Sequence, residues 1–262
     1  MERQRIFIDD ILSNENMNRA YKQVIKNKGA AGIDGMECND LLSHLKVNGH
    51  QLRESIRNQS YKPMPVKRVE IPKDNGSKRK LGIPTVTDRM IQQAAAQVLT
   101  PIYERKFHTN SYGFRPGKSA QQAVLKAAEY MNEGYNWVVD IDLEKFFDTV
   151  EHDKMISILN KEIKDGKTLS LIRKFLVSGV MVGEQMEETE IGTPNDAPTA
   201  QNHADLRGVV LRNVFRSGSL YSVAVGGTSC RKNAGQYVLV LRVSVHHSAC
   251  PADNSGISSA GV

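Results

Sequence analysis

Apolar residues return every three or four positions along two stretches near the start of the chain. In residues 14–28 they are Met17, Tyr21, Val24 and Ile25, the spacing of one helical face, and Gly29 supplies a stop. A second helix is predicted from an Asn39 cap past Leu41, Leu42 and Leu45 toward Ile56, with Gly49 weakening its middle. The run GAAGIDGM between them, Gly29 to Met36, reads as a loop.

At Tyr61 the pattern changes to alternation. Val66, Arg68 and Glu70 interleave with Val69 and Ile71 in a short strand. Asp74, Asn75 and Gly76 form its turn, and Lys80 to Ile83 the return strand. Helical spacing resumes with Met90, Ile91, Ala94, Ala95, Val98 and Leu99, behind a Thr87 or Asp88 cap and up to a break or kink at Pro101. Ser119 caps a further helix carrying Ala123, Val124, Ala127 and Tyr130 on one face. Residues 137–141 are β-prone and end in acids, and helical patterns follow over about 152–163 and 168–177. Beyond Pro194 the texture shifts to Gly, Ser, Ala and Val, with one strand expected over 237–245 and no internal repeat.

Composition bounds these elements. With 262 residues, 40% of them apolar and 24% charged, the chain can form one large or two modest globular domains. No window approaches the roughly 18 apolar residues that span a bilayer, and MERQRIFIDD lacks the apolar core of a secretory signal. A soluble, cytoplasmic protein with no membrane partner is expected. Cys38, Cys230 and Cys250 are far apart and in no metal-ligand spacing, so reduced thiols are expected rather than disulfides or zinc. A net charge of +6 and a pI near 9.1 permit binding to phosphate backbones without demanding it.

The candidate chemistry lies in the acidic strand. Asp140 and Asp142 alternate with Val139, Ile141 and Leu143, so both carboxylates share one strand face while the aliphatics take the other. Carboxylates on a rigid strand suit magnesium. An isolated pair of this kind is more often a solvated strand face, and Asp148 suits a turn hydrogen bond better than a metal. Asp9 and Asp10, the only adjacent aspartate pair, precede a helix cap and read as surface. Gly117-Lys118-Ser119 is not a phosphate loop, since that motif needs glycine where Tyr112 stands.

The wider run over 138–150, VVDIDLEKFFDTV, resembles motif A of reverse transcriptases, and its match to the group II intron maturase type is close. LGIPTVTDRMIQQA (81–94) and NSYGFRPGKSAQQAV (110–124) resemble successive fingers motifs of the same family, in the expected order. The resemblance covers about 12–194. It implies an α+β fold, the fingers and partial palm of a right-hand polymerase, with an unassigned C-terminal tail. The fingers would be 1–130 with the basic hairpin, the first part of the palm 131–194, and the tail 195–262.

By that resemblance Asp142 is the catalytic magnesium ligand, with the Leu143 carbonyl as a second. Phe147 is a steric gate that favours deoxynucleotides, or else a core phenylalanine. Lys73 and Arg79, in a hairpin that also carries Lys62, Lys67, Arg68, Lys78 and Lys80, would contact the nucleotide triphosphate, unless these cations only guard a strand edge. Arg115 would lie near template or primer, or anchor its own turn. The implied partners are a group II intron RNA template, a DNA primer and deoxynucleotides, with Mg2+ as cofactor and an unassigned oligomeric state.

The motifs stop at Gly192-Thr193-Pro194. Asn195 stands where the family has Gln-Gly, and no Tyr-Ala-Asp-Asp follows; beyond Asp196 the remaining acids are Asp205 and Asp253. Half of the metal site is therefore expected to be missing, and a shifted reading frame after Pro194 would account for so abrupt a change. The expected function is RNA-directed DNA synthesis carried by a fragment inactive alone. The rival expectations are a non-catalytic RNA-binding fragment, a decayed gene product, or a palm completed in trans.

Overall fold

In the computed structural model the described residues are 7–72, 76, 78–140, 149–193 and 236–240, with backbone alone for 79, 136–140 and 236–240. A short helix, α1 (Ile8–Leu12), precedes the first predicted one and buries Ile8, Ile11 and Leu12. Asp9 and Asp10 stay exposed. Then α2 (Asn14–Asn27) starts where the Ser13 hydroxyl accepts the Asn16 amide. It ends on Lys28, which takes the left-handed backbone at φ 46°.

Gly29 is therefore not the stop. A Cβ there would lie 2.0 Å from Arg89 Nη1, so the glycine makes room for a guanidinium. A 3₁₀ turn, Cys38–Asp40, leads into α3 (Leu41–Arg57), and the Asp40 carboxylate accepts the Glu37 amide. Asp40, rather than Asn39, is the cap position of α3, though its carboxylate serves the 3₁₀ turn and not the helix. Gly49 is tolerated inside α3, where an added Cβ would meet only Leu45 Cβ, at 3.9 Å.

The hairpin forms as the alternation predicts. β1 (Val66–Pro72) pairs antiparallel with β2 (Lys78–Ile83), setting Glu70 opposite Lys80 and Ile71 opposite Arg79. Next comes α4 (Val86–Glu104), capped by Thr85 and not by Thr87 or Asp88. It runs past Pro101 without breaking, with buried Leu99 and Tyr103 on either side of the proline. α5 (Ala120–Asn132) has a reciprocal cap between Ser119 and Gln122, at 3.3 and 3.0 Å.

β3 (Tyr135–Asp140) follows, then α6 (His152–Asn160) and α7 (Gly166–Leu176). β4 (Val180–Val182) and β5 (Gln185–Glu187) form a small hairpin that the sequence pattern did not signal. It joins the first hairpin in a sheet ordered β2-β1-β4-β5, with β4 parallel to β1 and Val180 beside Val66. β6 (Gln236–Val240), which overlaps the first part of the strand expected over 237–245, pairs parallel with β3.

One buried cluster draws on α1, α2, α3, α4, α6 and α7, and so on both sides of residue 130. Ile11, Leu41, Ile91, Leu99, Leu159 and Ile172 are fully enclosed in it, each such side chain contributing about 1.5–3 kcal/mol by leaving water. Buried Asn16 pins three of the helices. Its Nδ2 donates to Ile11 O and Ala94 O, both at 2.9 Å, and its Oδ1 accepts from Gln97 Nε2 at 2.8 Å. Asp165 caps α7 and also accepts the Ile8 amide at 3.0 Å, tying α1 to α7. The architecture is α+β. Among the described residues no helix is long and apolar enough to cross a membrane, and Cys38 is a free, buried thiol.

Candidate functional site

β3 carries Trp137, Val138 and Val139 up to Asp140, the first of the two strand aspartates. Asp142, Leu143 and Phe147 lie outside the described residues, as do Phe146 and Asp148. The chain is described again from Thr149, and its exit is fastened. The Gly192 amide donates to Val150 O at 2.9 Å, and His152 Nε2 stands 2.5 Å from Gly192 O. Val150, His152 and Thr193 are all buried. The segment leaving the acidic run is thus joined to the Gly192-Thr193 turn. Position in the helical pattern gave no sign of this use of His152.

The basic hairpin is anchored at its base and exposed where its described strands end, at Pro72 and Lys78. At the base, the buried Asp88 carboxylate in the first turn of α4 accepts from Tyr61 OH and Thr85 Oγ1, both at 2.7 Å, and from the Met64 amide at 3.2 Å. Burial pushes the Asp88 carboxyl up, against the pull of these hydrogen bonds. Burial, reinforced by the Asp88 charge, likewise pushes the Tyr61 phenol up. From α7, Lys174 Nζ donates to Tyr61 O at 3.0 Å and also to Gln59 O.

Toward the tip Glu70, Ile71 and Pro72 are exposed. Lys78 reaches diagonally across the strands to Glu70 at 2.8 Å and holds that carboxyl below its ordinary range. Both groups are solvated, so the pair adds little stability. Lys73 lies outside the described residues. Arg79 is described as backbone on β2, opposite Ile71.

Arg115 is described in full, and protein groups surround it. Nε and Nη2 bond Glu104 Oε1 at 2.8 and 2.6 Å, while Nη1 donates to His108 O and Ser111 O, both at 2.7 Å. The guanidinium also lies 5.0 Å from the centre of the Phe107 ring, and the side chain is 7% exposed. Of the two roles left open for it, this is the geometry of a cation anchoring its turn. Arg89 does comparable work: its Nη2 donates to Ala30 O at 2.8 Å through the space that Gly29 leaves. Among the described residues no three His, Cys, Asp or Glu side chains gather in a metal-binding group.

Residues 71–224 match the family described as reverse transcriptase (RNA-dependent DNA polymerase). That match runs past Pro194, where the recognisable motifs end. The chain is 35% identical over 175 residues to Protein YkfC of Escherichia coli, covering 64% of this chain and 46% of that protein. It is 38% identical over 177 residues to the group II intron-encoded protein LtrA of Lactococcus lactis, covering 67% and 29%. A putative COX1/OXI3 intron 2 protein of Saccharomyces cerevisiae is 32% identical over 179 residues, covering 67% and 20%. The chain therefore spans less than half the length of each of these relatives.

Proposed function

The chain is a member of the reverse transcriptase family, in its group II intron maturase branch, and from that premise we propose that it supplies the fingers and first palm segment of an RNA-directed DNA polymerase. The observation that carries the reading is β3, a six-residue strand that ends at Asp140 and hands the chain directly to Asp142. Asp142 and the Leu143 carbonyl are hard oxygen donors suited to Mg2+. Bound there, the ion would neutralise charge developing on the transferred phosphoryl group. Phe147 would face the sugar as a steric gate. Lys73 and Arg79 would meet the triphosphate from the solvated end of the hairpin, and Arg115 would shape the turn next to template or primer.

Residues 1–130 are on this reading the fingers, 131–194 the first part of the palm, and 195–262 an unassigned tail. The printed name of the Lactococcus relative, a group II intron-encoded protein, supports an intron RNA as template. On this reading a DNA primer and deoxynucleotides are the other partners, and the cytoplasm is the site of action. Because no Tyr-Ala-Asp-Asp follows Pro194, the chain alone is inactive or nearly so; parts of such a site act together, and losing one lowers rate by orders of magnitude.

The test uses the purified full chain. We expect Mg2+-dependent deoxynucleotide binding that Asp142→Asn abolishes, with primer extension absent or very slow. Robust extension would overturn the incompleteness. Failure to bind either nucleotide or RNA would overturn the whole reading. RNA binding without nucleotide binding would favour a non-catalytic RNA-binding fragment, which the exposed Lys67, Lys78 and Lys80 make the second candidate. In that case affinity should fall steeply between about 50 and 200 mM salt, and a Lys78, Arg79, Lys80 triple alanine should flatten the slope.

A further inference from the structure

Phe114 is held in a conformation that large side chains avoid. Its φ is 53°, in the left-handed region where Cβ crowds a carbonyl oxygen and a bulky residue is an outlier. The residue is nevertheless 47% exposed, so burial of the ring repays only part of the backbone strain. Strained positions of this kind persist where the surrounding structure enforces them, and they gather at functional surfaces.

The enforcement comes from both flanks. Arg115 spends its guanidinium inside the protein, on Glu104, His108 O and Ser111 O. The Lys118 amide donates to Arg115 O at 3.2 Å, with Gly117 at φ 69° in that turn. Lys118 Nζ reaches back to Thr109 O at 3.3 Å and lies 5.0 Å from the centre of the Tyr112 ring. Asn110 Nδ2 donates to Tyr130 OH at 2.7 Å, which fastens the loop to α5. Braced in this way, the loop leaves Phe114 more exposed than either of its other aromatics, Phe107 and Tyr112.

The charge along this segment indicates what the ring meets. Between Glu104 and Glu129 the chain carries Arg105, Lys106, Arg115, Lys118 and Lys126 and no Asp or Glu. Lys106 and Lys126 are paired with Glu162 and Glu129, while Arg105 is exposed. An exposed ring on a cationic segment free of carboxylates suits single-stranded nucleic acid, whose bases stack on the ring while the cations attract the phosphates. We propose that Phe114 is a stacking platform for an unpaired base of the RNA template, carried on the turn that Arg115 anchors. This rests on the polymerase reading above and moves the template contact from Arg115, whose donors are spent, to its neighbour. Duplex RNA has its bases stacked on one another and offers the ring none.

The experiment compares the full-length wild-type chain with Phe114→Tyr, Phe114→Leu and Phe114→Gly. The probes are a short single-stranded RNA with 2-aminopurine in place of adenine and the same strand annealed to its complement. Wild type should bind the single strand and quench its fluorescence, and the tyrosine variant should match it within about twofold. The leucine and glycine variants should bind about tenfold more weakly, the scale of one base–aromatic stack, and leave the fluorescence unquenched. Affinity for the duplex should not change, nor should the salt slope, because stacking releases no counterions. Glycine adopts φ 53° without strain, so its Tm should stay within about 3 °C of wild type, which separates a lost stack from a lost fold. Wild-type affinity and quenching in the leucine or glycine variant, an equal loss on the duplex, or a fall in Tm in step with affinity would each overturn the platform. A wild-type chain that binds no RNA would instead overturn the template part of the polymerase reading and this inference with it, and that outcome is read before any variant is compared.

Discussion

Helices α4 and α5 begin alike and end up in opposite surroundings. Each opens on a hydroxyl cap, Thr85 or Ser119, that accepts the amide three residues on, and each carries apolar residues at helical spacing. Yet α4 buries ten of its residues, from Val86 to Tyr103, while α5 buries none and leaves Val124, Leu125 and Met131 about two-thirds exposed. Caps and periodicity decide that a segment is helical. Burial is decided by what else the chain brings to that face, and most of a helix's stability comes from that packing. The α4 face meets α1 and α2, locked by Asn16, whereas α5 leads into β3 and the acidic run, at the margin of the core cluster.

The largest effect that could break this contrast is a matched truncation. Ile91→Ala in α4 should cost about 2–5 kcal/mol, because it opens a cavity in a closed cluster, while Leu125→Ala in α5 should stay within about 0.5 kcal/mol. Urea unfolding of both variants reads the difference. A loss above about 2 kcal/mol from Leu125→Ala would mean that the α5 face is covered in solution.

Arg115 tests the joint between the two helices, since it fastens Glu104 in the last turn of α4 to the turn that leads into α5. Arg115→Ala would strand the Glu104 carboxylate, whose second oxygen is buried and already lacks a partner, together with two carbonyls. The expected cost is about 2–4 kcal/mol in thermal or urea unfolding. Arg115→Lys should recover only part, because an ammonium cannot reproduce the fork. Unchanged stability in the alanine variant, with weakened binding to primer-template, would assign Arg115 to nucleic acid instead.

The same contrast explains what the sequence made legible. Elements set by local patterning were read nearly residue by residue: α2 from Met17, Tyr21 and Val24, the hairpin from its alternation, and α5 from Ser119. The family was legible because its motifs are local strings. Contacts between distant segments carry no such signature. Gly29 looked like a helix stop because glycine usually is one, and only the Arg89 guanidinium threading past it reveals the true constraint. The Thr85 cap is hard to read because Thr87 and Asp88 are equally good capping residues two and three positions on, and only the folded turn, with the Asp88 amide on the Thr85 hydroxyl, selects among them. β4 and β5 are three residues each, too short to show a period, and exist as strands because Val66 offers Val180 a partner. His152 read as the start of an amphipathic helix, since nothing nearby in sequence hints at Gly192.

Asp88 should give the smallest effect, and it probes the α4 end of the comparison through charge rather than packing. Its carboxyl is raised in the folded protein, chiefly by burial, with Asp34 adding to the rise and Tyr61, Thr85 and Met64 opposing it. The folded chain therefore keeps a proton on Asp88 at pH values where the unfolded chain has lost it. The native state binds more protons, so this group's contribution is fully present below the ordinary carboxylate range and is lost as pH rises through its raised value. Unfolding free energy measured across mildly acidic pH should carry a downward slope from this residue. Asp88→Asn should flatten that slope while lowering stability at every pH, because an amide accepts fewer of the three donors. An unchanged slope in Asp88→Asn would mean that the hydrogen bonds from Tyr61, Thr85 and Met64 outweigh burial and keep the carboxylate ionised; the base of the hairpin would then be held by a charge and not by a shared proton.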